Sequence, residues 1–221
     1  MNEFVNMFSG TDPASVSTSV KLLLLLTVLS LAPSILILMT SFTRIVIVLS
    51  FVRTSLATQQ MPPNQVLIGL ALFLTFFIMA PTFNNVYDQS LKPLFDEEIT
   101  LEEAYEEASI PIKDFMAEHT RQKDLALFMN YADIDRPDSI QDIPMSTLVP
   151  AFAISELKTA FQMGFMIFVP FLVIDMAVAS VLMSMGMMML PPVMISLPFK
   201  ILLFVLVDGW YLITHSLLSG F

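Results

Sequence analysis

Two ionisable residues in an almost uncharged stretch are the first candidates for chemistry. Asp175 follows the charge-free run Thr159 to Ile174, and Lys200 follows the charge-free run Met176 to Phe199. Charges in apolar surroundings are costly and mark either a functional path or a buried partner. Asp175 lies thirteen residues before Met188 and Lys200 twelve after it. A hairpin turning there brings both to similar depth, so the spacing predicts that they pair or that one faces a water-filled path. Asp208 is the next charge along the chain. Between Asp175 and Lys200 runs Met183 to Met194, which holds six methionines in twelve residues. Methionine is unbranched and polarizable, and it adapts to changing partners. This run reads in two ways: a loose apolar turn packed on a neighbour, or a deformable seal of flexible side chains. Residue types alone do not choose between them. Gly186 gives the loop backbone freedom.

The remaining polar groups point to packing. Arg44 and Arg53 flank the apolar run Ile45 to Phe51. Nine residues are 2.5 helical turns, which places the two arginines on opposite faces. Glu156 and Lys158 open the last third of the chain, and together with Arg44 and Arg53 they are candidates for pairing or subunit contact. Snorkelling to an interface accounts for Lys158. His119, beside Glu118, reads as a surface histidine, and Trp210 with His215 as an interfacial aromatic pair. There are no cysteines and only two histidines, so thiolate chemistry and paired-histidine metal motifs are excluded. No nucleophile–base arrangement, catalytic carboxylate pair or glycine-rich phosphate loop is present. The chain is expected to be no enzyme and to hold no metal or cofactor.

The elements that must position these residues follow from composition. Of 221 residues, 56% are hydrophobic and only 14% charged, with mean hydropathy +0.76. Soluble domains carry about 25% charged residues, so much of this surface must meet lipid or other subunits. The net charge of −10 belongs to one segment: Asp88 to Asp142 holds 15 acidic and 5 basic residues. Without a basic footprint, a nucleic-acid role is excluded.

The expected class is an all-α integral membrane protein, with two kinked hydrophobic helical hairpins flanking an acidic amphipathic helical insert. Residues 1–20 form a polar tail, expected to be retained in the mature protein. Residues 21–83 form the first hairpin. Leu22 to Thr43 carries no charge, and twenty-two helical residues span about 33 Å against about 30 Å of hydrocarbon. Pro33 is expected to kink this helix and Pro62-Pro63 to end it. Val66 to Phe83 is the return span. Residues 84–149 form the insert. Thr100-Leu101-Glu102-Glu103 reads as a capping box, with a helix after it and a second amphipathic stretch over Ile112 to Tyr131, broken near Thr120. Asp133 to Pro144 reads as a loop, and the glutamates as a solvated face rather than a cation site. Residues 150–221 form the second hairpin, turning at Pro191-Pro192. The prolines match Pro62-Pro63 in place, but the flanking side chains do not support an internal repeat. Arg44 and Arg53 put the first turn on the cytoplasmic side and the insert outside.

Several long stretches resemble the FliP family of flagellar protein-export gate subunits, which is related to injectisome subunits of type III secretion. They are Pro150-Ala-Phe-Ala-Ile-Ser-Glu-Leu-Lys-Thr-Ala-Phe161, Met183 through Lys200, Asp208-Gly-Trp210, and the first hairpin from Phe42 to Phe83. The resemblance runs from about Lys21 to the end of the chain. It implies a homo-oligomer of several copies in a spiral, assembled with FliQ and FliR in the flagellar basal body of the bacterial cytoplasmic membrane. Other export components, membrane lipid and unfolded flagellar substrate proteins are the further partners. Energy would come from the proton-motive force and a separate ATPase. The family's methionine-rich loop, held to line and seal the pore, corresponds here to Met185, Met187, Met188 and Met189 around Gly186. The resemblance also implies bent hairpins lying largely outside the ordinary bilayer plane, which kinks at Pro33, Pro170 and Pro198 would suit. Many members begin with a cleavable signal peptide, and the expectation here is that this chain does not.

Three other readings compete. An injectisome gate subunit would share all these features. A stand-alone channel or transporter would explain the intramembrane charges, yet the first hairpin has no charge between Thr54 and Tyr87, where a mid-membrane site would need one. An intramembrane protease has only Asp175 and Asp208 to offer, without a supporting motif.

Overall fold

The computed structural model describes residues 26–27, 29–58, 60–134, 137, 139–187 and 189–221. Two compact units are present, Met1–Ile37 and Leu38–Phe221. In the first, the described residues are helical; the expected polar tail, residues 1–20, lies outside the described residues. All that follows concerns the second unit.

Among the described residues every regular element is a helix, without a strand. Helix α1 is Phe42–Ser55, preceded by a break at Thr40 and Ser41. The span expected to run on from Thr43 is therefore interrupted just before Arg44. The turn after α1 also differs from expectation. The helix stops at Ser55, well short of the prolines, and Ala57 takes a left-handed φ of 57°. Pro63 instead stands at the N-cap of α2, Asn64–Val86. A proline at a helix start sacrifices no intrahelical hydrogen bond, so the pair begins the return helix rather than ending the outgoing one. Pro191-Pro192 does the same for α7. Arg53 holds the first turn by donating to Asn64 Oδ1 and, at 3.5 Å, to the Pro62 carbonyl.

α2 runs through a π-helical turn at Tyr87–Leu91 into α3, Lys92–Phe95. Together they make one apolar helix of 32 residues, long enough to cross a bilayer. The insert then folds as α4 (Leu101–His119) and α5 (Gln122–Tyr131). The capping box forms as read: the Glu103 amide donates to Thr100 Oγ1 at 3.3 Å, and the Thr100 amide to Glu103 Oε2 at 2.7 Å. The bond from the Thr100 amide, and a second from Thr100 Oγ1 to Glu103 Oε2 at 2.9 Å, hold the Glu103 carboxyl below its usual range. α4 passes unbroken through Pro111, so Leu101 to His119 is one helix and the break falls at Thr120. The loop after α5 contains a 3-10 turn, Ile140–Asp142. Met116, Ile143, Leu148 and Phe152 form a buried cluster that fixes the insert to the start of α6.

α6, Met145–Ser184, has 40 residues and is about 60 Å long at 1.5 Å per residue. It is the spine of the protein. α1 lies along it in parallel: Arg44 meets Glu156, and Phe51 meets Phe161 edge-on at 5.5 Å. At Gly164 the helices come so close that a Cβ would lie 2.4 Å from the Phe51 ring; glycine is the residue this approach requires. α7 (Pro192–Leu206) returns antiparallel along α6, with Lys200 beside Asp175 and Phe204 beside Phe171, and α8 (Gly209–Leu218) follows it. Their bend of 61° falls at Asp208, ten residues beyond Pro198. The chain is thus an all-α membrane protein. Two helices are long and apolar enough to span, or up to four if each bent pair counts as one.

Candidate functional site

The second hairpin carries three sites in a row. At its tip, Met185, Gly186, Met187 and Met189 are exposed, and Met189 is 98% accessible. Met188 lies outside the described residues. Gly186 has φ +71° and nothing within 4 Å of a built Cβ, so the left-handed turn, not crowding, is what calls for glycine. None of the described methionines of the tip is buried in its own chain.

About ten residues below the tip, roughly 15 Å along the helix, the two limbs are braced. Lys200 Nζ donates to Asp175 Oδ2 at 2.7 Å, and Ser196 Oγ donates to Asp175 Oδ1 at 2.5 Å. The Lys200 side chain is only 2% exposed and that of Asp175 22%. Lys200 and Ser196 are one turn apart on α7, so both reach the same carboxylate. Composition gave no hint of Ser196; only the i, i+4 spacing to Lys200 could have flagged it.

At the base, Arg44 and Glu156 form a bidentate pair, Nε to Oε2 at 2.8 Å and Nη2 to Oε1. Both side chains are buried, at 4% and 0% exposure. Arg44 Nη1 also donates to the Gly220 carbonyl at 2.7 Å, and its guanidinium lies 3.7 Å from the Phe221 ring centre. Phe221 in turn stacks on Phe115 at 6.2 Å and meets His119 edge-on at 5.1 Å. One arginine therefore ties together α1, α6 and residues 220–221, and Phe221 adds the insert. Next to it, Asp124 accepts from Ser155 Oγ at 2.6 Å and from Arg121 Nη2 at 2.5 Å. Burial pushes the Asp124 carboxyl up, but the bonds from Ser155 and Arg121 and the charges of Arg121 and Lys158 outweigh it and hold it below its usual range.

Other expectations fare differently. Lys158 is exposed and Arg53 part-buried on neutral oxygens. Asp208 stands exposed at the α7–α8 corner with φ 50°. His119 is not the surface residue its neighbour Glu118 suggested. It is half-buried, held between Phe115 and Phe221, because α4 turns its last residue inward onto residues that lie about a hundred positions away. Trp210 packs edge-on against Phe204, and His215 is exposed beside Tyr211. Among the described residues no group of three or more metal-ligating side chains occurs.

Burial, then the positive charge of Arg44, pull the His119 pKa below 6.5, against a smaller opposing effect of Glu118. The folded state thus prefers neutral His119 and binds fewer protons than the unfolded chain, so its contribution is present above about pH 6.5 and is lost as pH falls through the lowered folded value. Thermal melts of the detergent-solubilised protein from pH 8 to pH 5 should show a fall in midpoint that His119→Phe reduces. Identical pH profiles for the two proteins would contradict this.

Comparison with known proteins bears on these three sites together. The model of the FliP family matches residues 25–217. The flagellar biosynthetic protein FliP of Bacillus subtilis (strain 168) is 77% identical over 221 residues, all of both chains. That of Caulobacter vibrioides is 56% identical over 217 residues, 98% of this chain and 82% of the relative. That of Aquifex aeolicus is 51% identical over 206 residues, 92% and 86% respectively.

Proposed function

Since the chain belongs to the FliP family, and is thereby a membrane-embedded component of flagellar export, we propose that it is a pore-forming core subunit of the flagellar type III protein-export gate. In this reading several copies assemble as a homo-oligomer in the bacterial cytoplasmic membrane, at the flagellar basal body, with FliQ and FliR. Unfolded flagellar proteins pass between the copies, and the methionine loop closes the passage around them. The chain acts as conduit and seal and performs no bond-breaking chemistry.

The observation that carries this reading is the tip of the second hairpin. Exposed methionines sit at the end of two apolar limbs that a buried Asp175–Lys200–Ser196 brace holds together. A rigid stem presents flexible, apolar, polarizable side chains that can conform to a passing chain of any sequence and close after it. The apolar outer surface supports assembly: in the most apolar stretch of α6 only 11% of residues are buried within the chain, and Phe73, Phe165 and Met166 are all more than 60% exposed. Such a surface needs lipid or other subunits.

Replacing Met187, Met188 and Met189 together with alanine should raise small-ion leak through the assembled gate while assembly is retained. Ion flux in vesicles holding the purified complex reads the first, and the mass of the solubilised complex reads the second. A triple variant that assembles and leaks no more than the parent would sink the seal. The mass of the complex alone, and then with FliQ and FliR, tests the conduit: a monomer unchanged by either partner would favour a stand-alone transporter instead.

A further inference from the structure

Asp208 is a charge on an apolar limb that finds no partner among the described residues. Among the described residues its carboxylate has no hydrogen bond and no ion pair, although Arg44–Glu156, Arg121–Asp124 and Lys200–Asp175 are all formed. Its surroundings are apolar and exposed: Val205, Leu206, Val207, Tyr211 and Leu212. A carboxylate in such a band is costly unless it meets a cation or a donor. The backbone there is left-handed, with φ 50° and ψ 56°, which asparagine and aspartate tolerate better than other side-chain-bearing residues but glycine tolerates best. Folding alone would thus favour glycine at this corner.

Arg53 is its counterpart. Its guanidinium donates only to Asn64 Oδ1 and the Pro62 carbonyl, both neutral, and among the described residues no carboxylate pairs with it. The helix registers place the two charges level. α1 runs parallel to α6 with Arg44 beside Glu156, so Arg53, nine residues on, lies level with Phe165. α7 runs antiparallel with Lys200 beside Asp175 and Phe204 beside Phe171, so Asp208 lies level with Ile167. Two residues of helix separate those levels by about 3 Å. Yet within one chain they form no ion pair. An unsatisfied anion and a cation without a carboxylate, at one depth on an apolar exterior, are complementary between copies.

We propose that Asp208 of one copy pairs with Arg53 of the adjacent copy, an ion pair that sets the register of one subunit on the next. This rests on the homo-oligomer reading above. Two charge-reversed proteins test it. Arg53→Asp carries acid at both positions, and Asp208→Arg carries base at both. Each alone should self-associate more weakly, by roughly thirtyfold or more, as when one side of a desolvated interfacial pair is removed. Co-expressed, they should restore the parent's mass by alternating, because each acidic position then faces a basic one. Restoration in trans cannot come from refolding within a chain.

A second measurement stands if either variant folds poorly. The chain has no cysteine, so a copy with Arg53→Cys and a copy with Asp208→Cys, co-expressed and treated with a short bismaleimide, should give a dimer band that neither single-cysteine protein gives alone. Reversed variants that associate like the parent, with no mixed dimer band, would overturn the pairing and leave Asp208 to a lipid headgroup or a different subunit. Failure of the mixture where the singles also fail, again with no mixed dimer band, overturns it too. A parent that is itself monomeric under all conditions would instead overturn the homo-oligomer reading on which the pairing rests.

Discussion

Arg44→Ala destabilises the folded chain by about 3–5 kcal/mol, the cost of stripping one partner from a buried ion pair. The size follows from what is left behind. Glu156 is fully buried and takes both of its side-chain bonds from Arg44. Without the guanidinium, two carboxylate oxygens remain in a dry site with no donor, and the Gly220 carbonyl and the Phe221 ring lose their contact as well. Replacing both partners with apolar residues of similar volume, Arg44→Met with Glu156→Leu, should recover most of the loss, since no charge is then stranded. Denaturant titration of the detergent-solubilised protein checks both. An Arg44→Ala protein with the parent's midpoint would mean that water reaches this pair, contrary to its burial.

The second large effect lies at the brace below the methionine tip, and it is asymmetric. Asp175→Ala strands a buried ammonium and removes the acceptor that Ser196 uses, so it belongs in the same range of about 3–5 kcal/mol. Lys200→Met leaves an apolar chain of similar length in the buried position. Asp175 is then still partly exposed to its surroundings and still bonded by Ser196, so this change should cost clearly less. The expected order is therefore Asp175→Ala worse than Lys200→Met. The swap Asp175→Lys with Lys200→Asp should be better tolerated than either of its single changes. Melting midpoints of the five variants give the order directly. A double swap no better than its singles would argue that the two residues are held apart by packing rather than joined by charge. If the tip acts as a seal, ion leak should follow the same order, because the stem positions the methionines.

The two ion pairs differ in how far the sequence reveals them. Asp175 and Lys200 stand nearly equidistant from Met188, and an antiparallel hairpin converts equal chain distance into equal depth. That arithmetic is local to one hairpin, so the contact was among the readings the sequence offered. Arg44 and Glu156 are separated by 112 positions. Their meeting depends on which face of α1 lies on α6, and the close approach at Gly164 against Phe51 helps decide it. No periodicity within either helix contains that information.

By itself the sequence determined what depends on neighbours along the chain. Few charges and long apolar runs dictated membrane helices, because backbone polar groups in lipid must be satisfied within the segment. The Thr100–Glu103 cap and the cluster of acid in the insert followed from local spacing in the same way. Even there, local rules left a choice: a proline pair marks a turn, but whether it ends one helix or starts the next depends on where the previous helix stops, here at Ser55. The tertiary structure alone decided the rest. It turned His119 inward onto Phe221, bound Asp124 of α5 to Ser155 of α6, and put the bend of the second limb at Asp208 instead of Pro198. The physical reason is common to all three. Side-chain burial and pairing are set by the surface that arrives from a distant part of the chain, and helical periodicity says which face is apolar without saying which partner covers it.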